Sequence, residues 1–122
     1  MWEKFIQFFD GSMLFAMAFF ICGHILGWYS TNSQLVWEFW KNKPLLSNII
    51  FGIPAGLMFW YGTKYVMLAQ PELWTARFTA GILGYLTFPL MTWFYLGESM
   101  FTIKTMLCVF LALMILIVQI FF

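Results

Sequence analysis

Apolar residues gather in four windows of this chain, roughly 11–29, 45–63, 76–96 and 105–122, and polar and charged side chains collect between them. A transmembrane helix needs about 20 mostly apolar residues, so each window is long enough to cross a bilayer. The connections, residues 30–44, 64–75 and 97–104, are short, and short connections make neighbouring helices antiparallel. The pattern predicts an all-α integral membrane protein. Residues 1–122 form one domain, an antiparallel bundle of four transmembrane helices.

Two shorter stretches have a mixed character. Trp2, Phe5, Ile6 and Phe9 recur at helical spacing within Met1–Asp10, which also carries Glu3, Lys4 and Asp10. That combination predicts a short helix lying on the membrane surface rather than a removable signal. The stretch LVWEFWKNKP in the first connection reads as a second interfacial segment, with Pro44 opening the next helix. Trp2, Trp28, Trp37, Trp40, Trp60, Trp74 and Trp93 all fall near an expected helix end or in a connection. Indole rings favour the headgroup level, so the tryptophans mark the same boundaries.

Composition strengthens the membrane reading. Hydrophobic residues make up 63% of the 122 and charged residues only 9%. A soluble domain carries about 25% charged residues, so there are too few here to cover a water-facing surface. A net charge of +1 gives no reason to expect a nucleic-acid partner. Membrane lipids are the expected surroundings, in a multi-pass protein of a bacterial-type inner membrane. Cys22 and Cys108 both sit in apolar runs and are read as buried reduced thiols.

Charge barely chooses an orientation. Lys4, Lys64 and Arg77 fall on the side of the N-terminus, and Lys41, Lys43 and Lys104 on the other. The positive-inside rule therefore leaves two readings open, insertion in both orientations or a single orientation set by Lys41 and Lys43.

Inside the windows, small residues repeat four apart. Gly23 and Gly27, Gly52 and Gly56, and Ala76, Ala80 and Gly84 all show the spacing that lets helix backbones approach closely. They serve either packing within one subunit or a dimer seam. Pro54 and Pro89 interrupt windows and are expected to kink their helices, freeing the carbonyls of Ile50 and Tyr85. His24 is the only ionisable side chain clearly inside a window. It lies about 60° around the helix from Gly27, which points it at protein rather than lipid. Tyr85 and Thr87 are expected at a nearby depth. These three residues are the candidates for a substrate pathway, and the alternative is a hydrogen-bonded structural histidine. No second His, Cys or Asp has the spacing of a metal site, and no cofactor is implied. Phosphate loops, paired intramembrane acids and a nucleophile beside a base are all missing, so the sequence gives no basis for an enzyme.

The C-terminal stretch FPLMTWFYLGESMFTIKTMLCVFLALMILIVQIFF resembles the closing helix pair of the drug/metabolite transporter superfamily. Pro89 in the penultimate helix, then Leu96, Gly97 and Glu98 at the turn, match that pattern over about the last 40 residues. Four windows in a chain of this length are similar to the small branch of that superfamily, which includes the small multidrug resistance proteins. The resemblance implies a dimer, in some members with subunits in opposite orientations. It departs in one respect. Those proteins carry a glutamate in the first helix where drug and protons compete, and the first window here holds only His24. Glu98 itself is read as part of an interfacial turn. Gly97 can take the left-handed conformation that ends a helix, and Ser99 or Thr102 can cap the next one.

Two functional expectations follow. One is a small dimeric carrier of a metabolite or lipid, with a pathway near His24 and Tyr85. The other is a non-catalytic accessory subunit packed against a larger membrane protein. A carrier is expected to show a polar cavity between its first three helices.

Overall fold

The computed structural model describes residues 1–122 and is all-helical. A short helix α1, Trp2–Phe8, leads into α2, Gly11–Val36. The Asp10 carboxylate accepts from the Met13 N–H at 2.9 Å and caps α2. A single 3-10 turn at Glu38–Trp40 follows, and then α3, Pro44–Ser47. A π turn at Asn48–Gly52 joins α3 to α4, Ile53–Ala69, so that Pro44–Ala69 runs as one element. The last two helices are α5, Leu73–Leu96, and α6, Ile103–Phe121.

Three elements are long and apolar enough to cross a membrane: Gly11–Val36, Pro44–Ala69 and Ile103–Phe121. They mark a membrane protein. The expected third span does not join them. At 24 residues α5 is long enough, but Arg77, four threonines and Tyr85 dilute its apolar run.

Contacts between side chains fix the helix directions. Phe15 meets Tyr65, Phe19 meets Tyr61 and Tyr29 meets Phe51, so α2 and α4 are antiparallel. His24 meets Ala80, Trp28 meets Thr92 and Tyr29 meets Tyr95, so α2 and α5 run the same way. Lys4 Nζ donates to the Phe121 carbonyl at 3.2 Å, which brings the end of α6 to the start of the chain. The helices α2, α4 and α5 pack on one another, while α6 leans on α5 and, at its last turns, on α1.

The core sits at the end that holds both termini. Phe8, Met13, Ala16, Phe20, Val66, Ala76 and Ile120 are buried together there. The surface reading of α1 accounts for Trp2, Phe5 and Ile6, which are exposed, but Phe8 is buried and anchors the helix to the bundle.

Several boundaries differ from those the apolar pattern predicts. The first window stops at 29, yet α2 continues to Val36 because polar side chains there bond their own helix. Thr31 Oγ1 donates to the Gly27 carbonyl and Gln34 Nε2 to that of Thr31. The second interfacial segment is only the one 3-10 turn, and Asn42 with φ 67° turns the chain back before Pro44. Asparagine tolerates that left-handed conformation better than most residues. Lys64, expected in a connection, lies on α4, which runs on to Ala69. Cys22 and Cys108, expected to be buried, are both free thiols on exposed helix faces.

The proline positions are handled differently. Pro54 falls in the first turn of α4, directly after the π turn, where the Ile53 N–H reaches back to the Asn48 carbonyl. A wider turn accommodates a residue that cannot donate. Pro89 stays inside α5. At the end of α5, Gly97 has φ 70° and its N–H bonds the Trp93 carbonyl. Thr102 then caps α6 by accepting from the Thr105 N–H at 3.2 Å, while Ser99 accepts from the Phe101 N–H.

Candidate functional site

A groove of about 1380 Å³ runs along α5, with α2 and α4 on one side and α6 on the other. Its floor is the α5 face that carries Arg77, Gly81, Gly84, Tyr85 and Phe88. These residues recur three or four apart, so they form one stripe of the helix. From Leu73 to Pro89 the lined length of α5 is about 24 Å at 1.5 Å per residue, most of the thickness of a bilayer core. The helix directions order the two ends. Thr31, Pro89 and Thr105 lie toward one, and Leu73, Trp74, Arg77 and Ile115 toward the other.

The walls are mainly apolar or aromatic and α6 supplies one of them, so the groove is not the polar cavity between the first three helices expected of a carrier. Arg77 is the only charged side chain lining the groove, and no carboxylate lines it. Arg77 is exposed and has no carboxylate within salt-bridge distance. The nearest acid in sequence on that helix, Glu72, is engaged locally through the Thr75 hydroxyl at 3.4 Å.

His24 occupies the wall where α2 and α5 come closest. Its Nε2 lies 2.6 Å from the Ala80 carbonyl oxygen. A carbonyl can only accept, so Nε2 carries the proton and donates. The ring edge meets Phe59 of α4, with centroids 4.8 Å apart and planes at 79°. The opposing position on α5 is Gly84, where a Cβ would stand 2.6 Å from His24 Cε1. A histidine can reach the α5 backbone here only because its neighbour has no side chain.

The candidate residues thus separate. His24 and Tyr85 both line the groove, but Tyr85 is exposed and does not bond His24. The imidazole uses a carbonyl one turn earlier, at Ala80. Thr87 is half-buried and is not on the groove wall. Among the small residues, Gly23 approaches Met58 and Phe59, and Gly52 approaches Asn48 and Ser30. Gly27 and Gly56 face open space, where an added Cβ would meet nothing within 4 Å. The spacing expectation therefore fails at those two positions as contacts within the chain. Gly97 and Glu98 are exposed at the turn, away from the groove.

Some important contacts escaped the sequence reading. Gly62 lies under Phe20, and a Cβ there would stand 2.5 Å from the ring. At the far end from the termini, buried Trp28 donates its indole N–H to Thr92 Oγ1 at 3.0 Å. The Tyr29 and Tyr95 hydroxyls bond beside it, and Trp28 stacks on Tyr95 at 5.2 Å. Hydroxyl and indole groups dispersed over two distant windows give no local signal. Arg77 was visible as a charge, and the i, i+4, i+8 spacing of Arg77, Gly81 and Tyr85 was the available clue to the stripe.

No group of three or more His, Cys, Asp or Glu side chains is arranged to hold a metal ion. No protein-family model, no curated protein and no solved structure matches this chain.

Proposed function

We propose that this chain is a four-span membrane protein with a fold like that of the small drug/metabolite transporters, working as a dimeric carrier of a lipid or small metabolite in an inner-membrane-type bilayer. The observation that carries this reading is the groove along α5, which reaches from Arg77 past His24 to Thr31. Its length approaches the thickness of a bilayer core, and its walls suit an apolar or amphipathic passenger. The antiparallel directions of α2 and α4, with α6 returning to the N-terminal end, support counting α5 as a fourth crossing. In this role His24 is a wall residue held by Ala80, and the passenger contacts Tyr85 and Phe88 rather than a buried acid.

A second reading rests on α6. Ile103, Leu107, Phe110, Leu111, Met114 and Ile117 are all exposed, which suits an accessory subunit whose last helix packs against a larger membrane protein. Native mass measurement in mild detergent, beside flux of a fluorescent lipid into sealed vesicles, separates the two. A carrier is expected to run at twice the chain mass and to move the lipid faster than empty vesicles do. Copurification with a different, larger protein and no flux would favour the accessory role.

A further inference from the structure

The groove has a chemical polarity that narrows its occupant. Its one charge is the Arg77 guanidinium, close to the start of α5 at Leu73 and free of any carboxylate partner. Beyond it along the same stripe come Phe78, Gly81, Tyr85 and Phe88, facing Cys108 and Val109 of α6. A cation at one end of an apolar channel is complementary to an anion carrying a hydrocarbon tail. A guanidinium binds phosphate oxygens in a planar two-point contact that an ammonium cannot reproduce. Arg77 lies two turns or less from the end of its helix, so its side chain can reach headgroup depth while its stem stays apolar.

The geometry points to one occupant: an anionic phospholipid whose phosphate sits on Arg77 and whose acyl chain lies in the groove over Gly81, between Tyr85 and α6. This rests on the carrier reading, whose site it shares, and names the passenger class. Gly81 is the position that makes room for the chain. A Cβ built there would meet nothing within 4 Å, in contrast with Gly84, whose space His24 already fills. Gly81 is thus open toward the groove rather than needed for packing between helices. Ordinary attraction of an interfacial arginine to bilayer phosphate is a surface effect that would not depend on Gly81.

The test uses the full chain in mild detergent with equal amounts of phosphatidylglycerol and diacylglycerol, which has the acyl chains but no phosphate, read by native mass measurement of retained lipid. The unaltered protein is expected to retain phosphatidylglycerol with roughly tenfold preference, the scale of one charge-assisted contact. Arg77→Gln is expected to abolish the preference. Gly81→Leu, which keeps the guanidinium but fills the groove, is expected to lose lipid retention of both kinds. Preference surviving in Arg77→Gln would overturn the headgroup placement. Retention surviving in Gly81→Leu would overturn the acyl-chain placement and assign binding to the surface. Displacement of the lipid by inorganic phosphate at equal concentration would show a site for free anions and would also overturn the proposal. The carrier reading fails separately. Lipid retained as expected with no flux in vesicles would sink transport and leave the site standing. Flux blocked by Gly81→Leu with no preference for phosphatidylglycerol would do the reverse.

Discussion

The seam between α2 and α5 and the outer helix α6 border the same groove on opposite principles. The seam is specified by polar contacts: His24 to Ala80, Trp28 to Thr92, Tyr29 to Tyr95. Each needs one partner at one place, and Gly84 is bare because His24 fills its space. The outer helix has no hydrogen bond from its side chains to another helix, and most of its large apolar residues face outward. In lipid, apolar surface alone gives helices little reason to associate, so close fit and polar contacts must supply the specificity. The seam fixes the shape of the wall; α6 is held from one side and at its last turns.

The sharpest way to break the contrast is Gly84→Leu. Its Cβ alone would stand 2.6 Å from the imidazole, so either the ring leaves or the helices part. Overpacking together with loss of the Ala80 bond is expected to cost about 3 kcal/mol or more. Unfolding in detergent measures it, and an unchanged melting temperature would show that α2 and α5 do not meet here.

A smaller effect separates shape from bonding at the same place. His24→Leu removes the donor to Ala80 and is expected to cost about 1–3 kcal/mol. His24→Gln keeps a donor of similar reach and is expected to cost under about 1 kcal/mol by the same measurement. Equal losses in the two variants would mean that ring packing against Phe59, not the hydrogen bond, holds the position.

The smallest effect belongs to α6. Leu111 is 61% exposed, and Leu111→Ala is expected to stay within about 0.5 kcal/mol for the isolated chain. A loss near 2 kcal/mol would show that this face is covered in the purified protein, and would move α6 from a lipid-facing helix to an interface.

How far the sequence was legible follows the same division. Helix existence could be read from runs of apolar residues, because α6 and the centres of α2 and α4 are long and uniform. The helix α5 was placed by the apolar window 76–96, but its first turn, residues 73–75, lies outside that window. The Gly97 turn could be read because glycine there has a conformational reason, and its φ of 70° supplies it. Helix ends were less legible. At Thr31 and Gln34 the side chains bond backward into α2, which composition alone cannot distinguish from a loop. The site was half visible. His24 stood out as the one ionisable group in its window, but its partner is a backbone carbonyl, which every residue possesses and no pattern reveals. Gly27 and Gly56 show the limit of spacing arguments, since the same interval serves a tight contact at Gly23 and open space four residues later.

The connection between α4 and α5 holds only Gln70, Pro71 and Glu72. That brevity has a consequence for biogenesis. On the four-span reading proposed above, two long helices joined so tightly enter the bilayer as a hairpin. On that reading, Lys64 near the end of α4 and Arg77 near the start of α5 form one pair of charges on one face of the bilayer. Lys41 and Lys43 sit in the longer connection before α3 and form a competing pair. Orientation, on the same four-span reading, becomes a contest between two dipositive hairpin caps rather than a sum over scattered lysines.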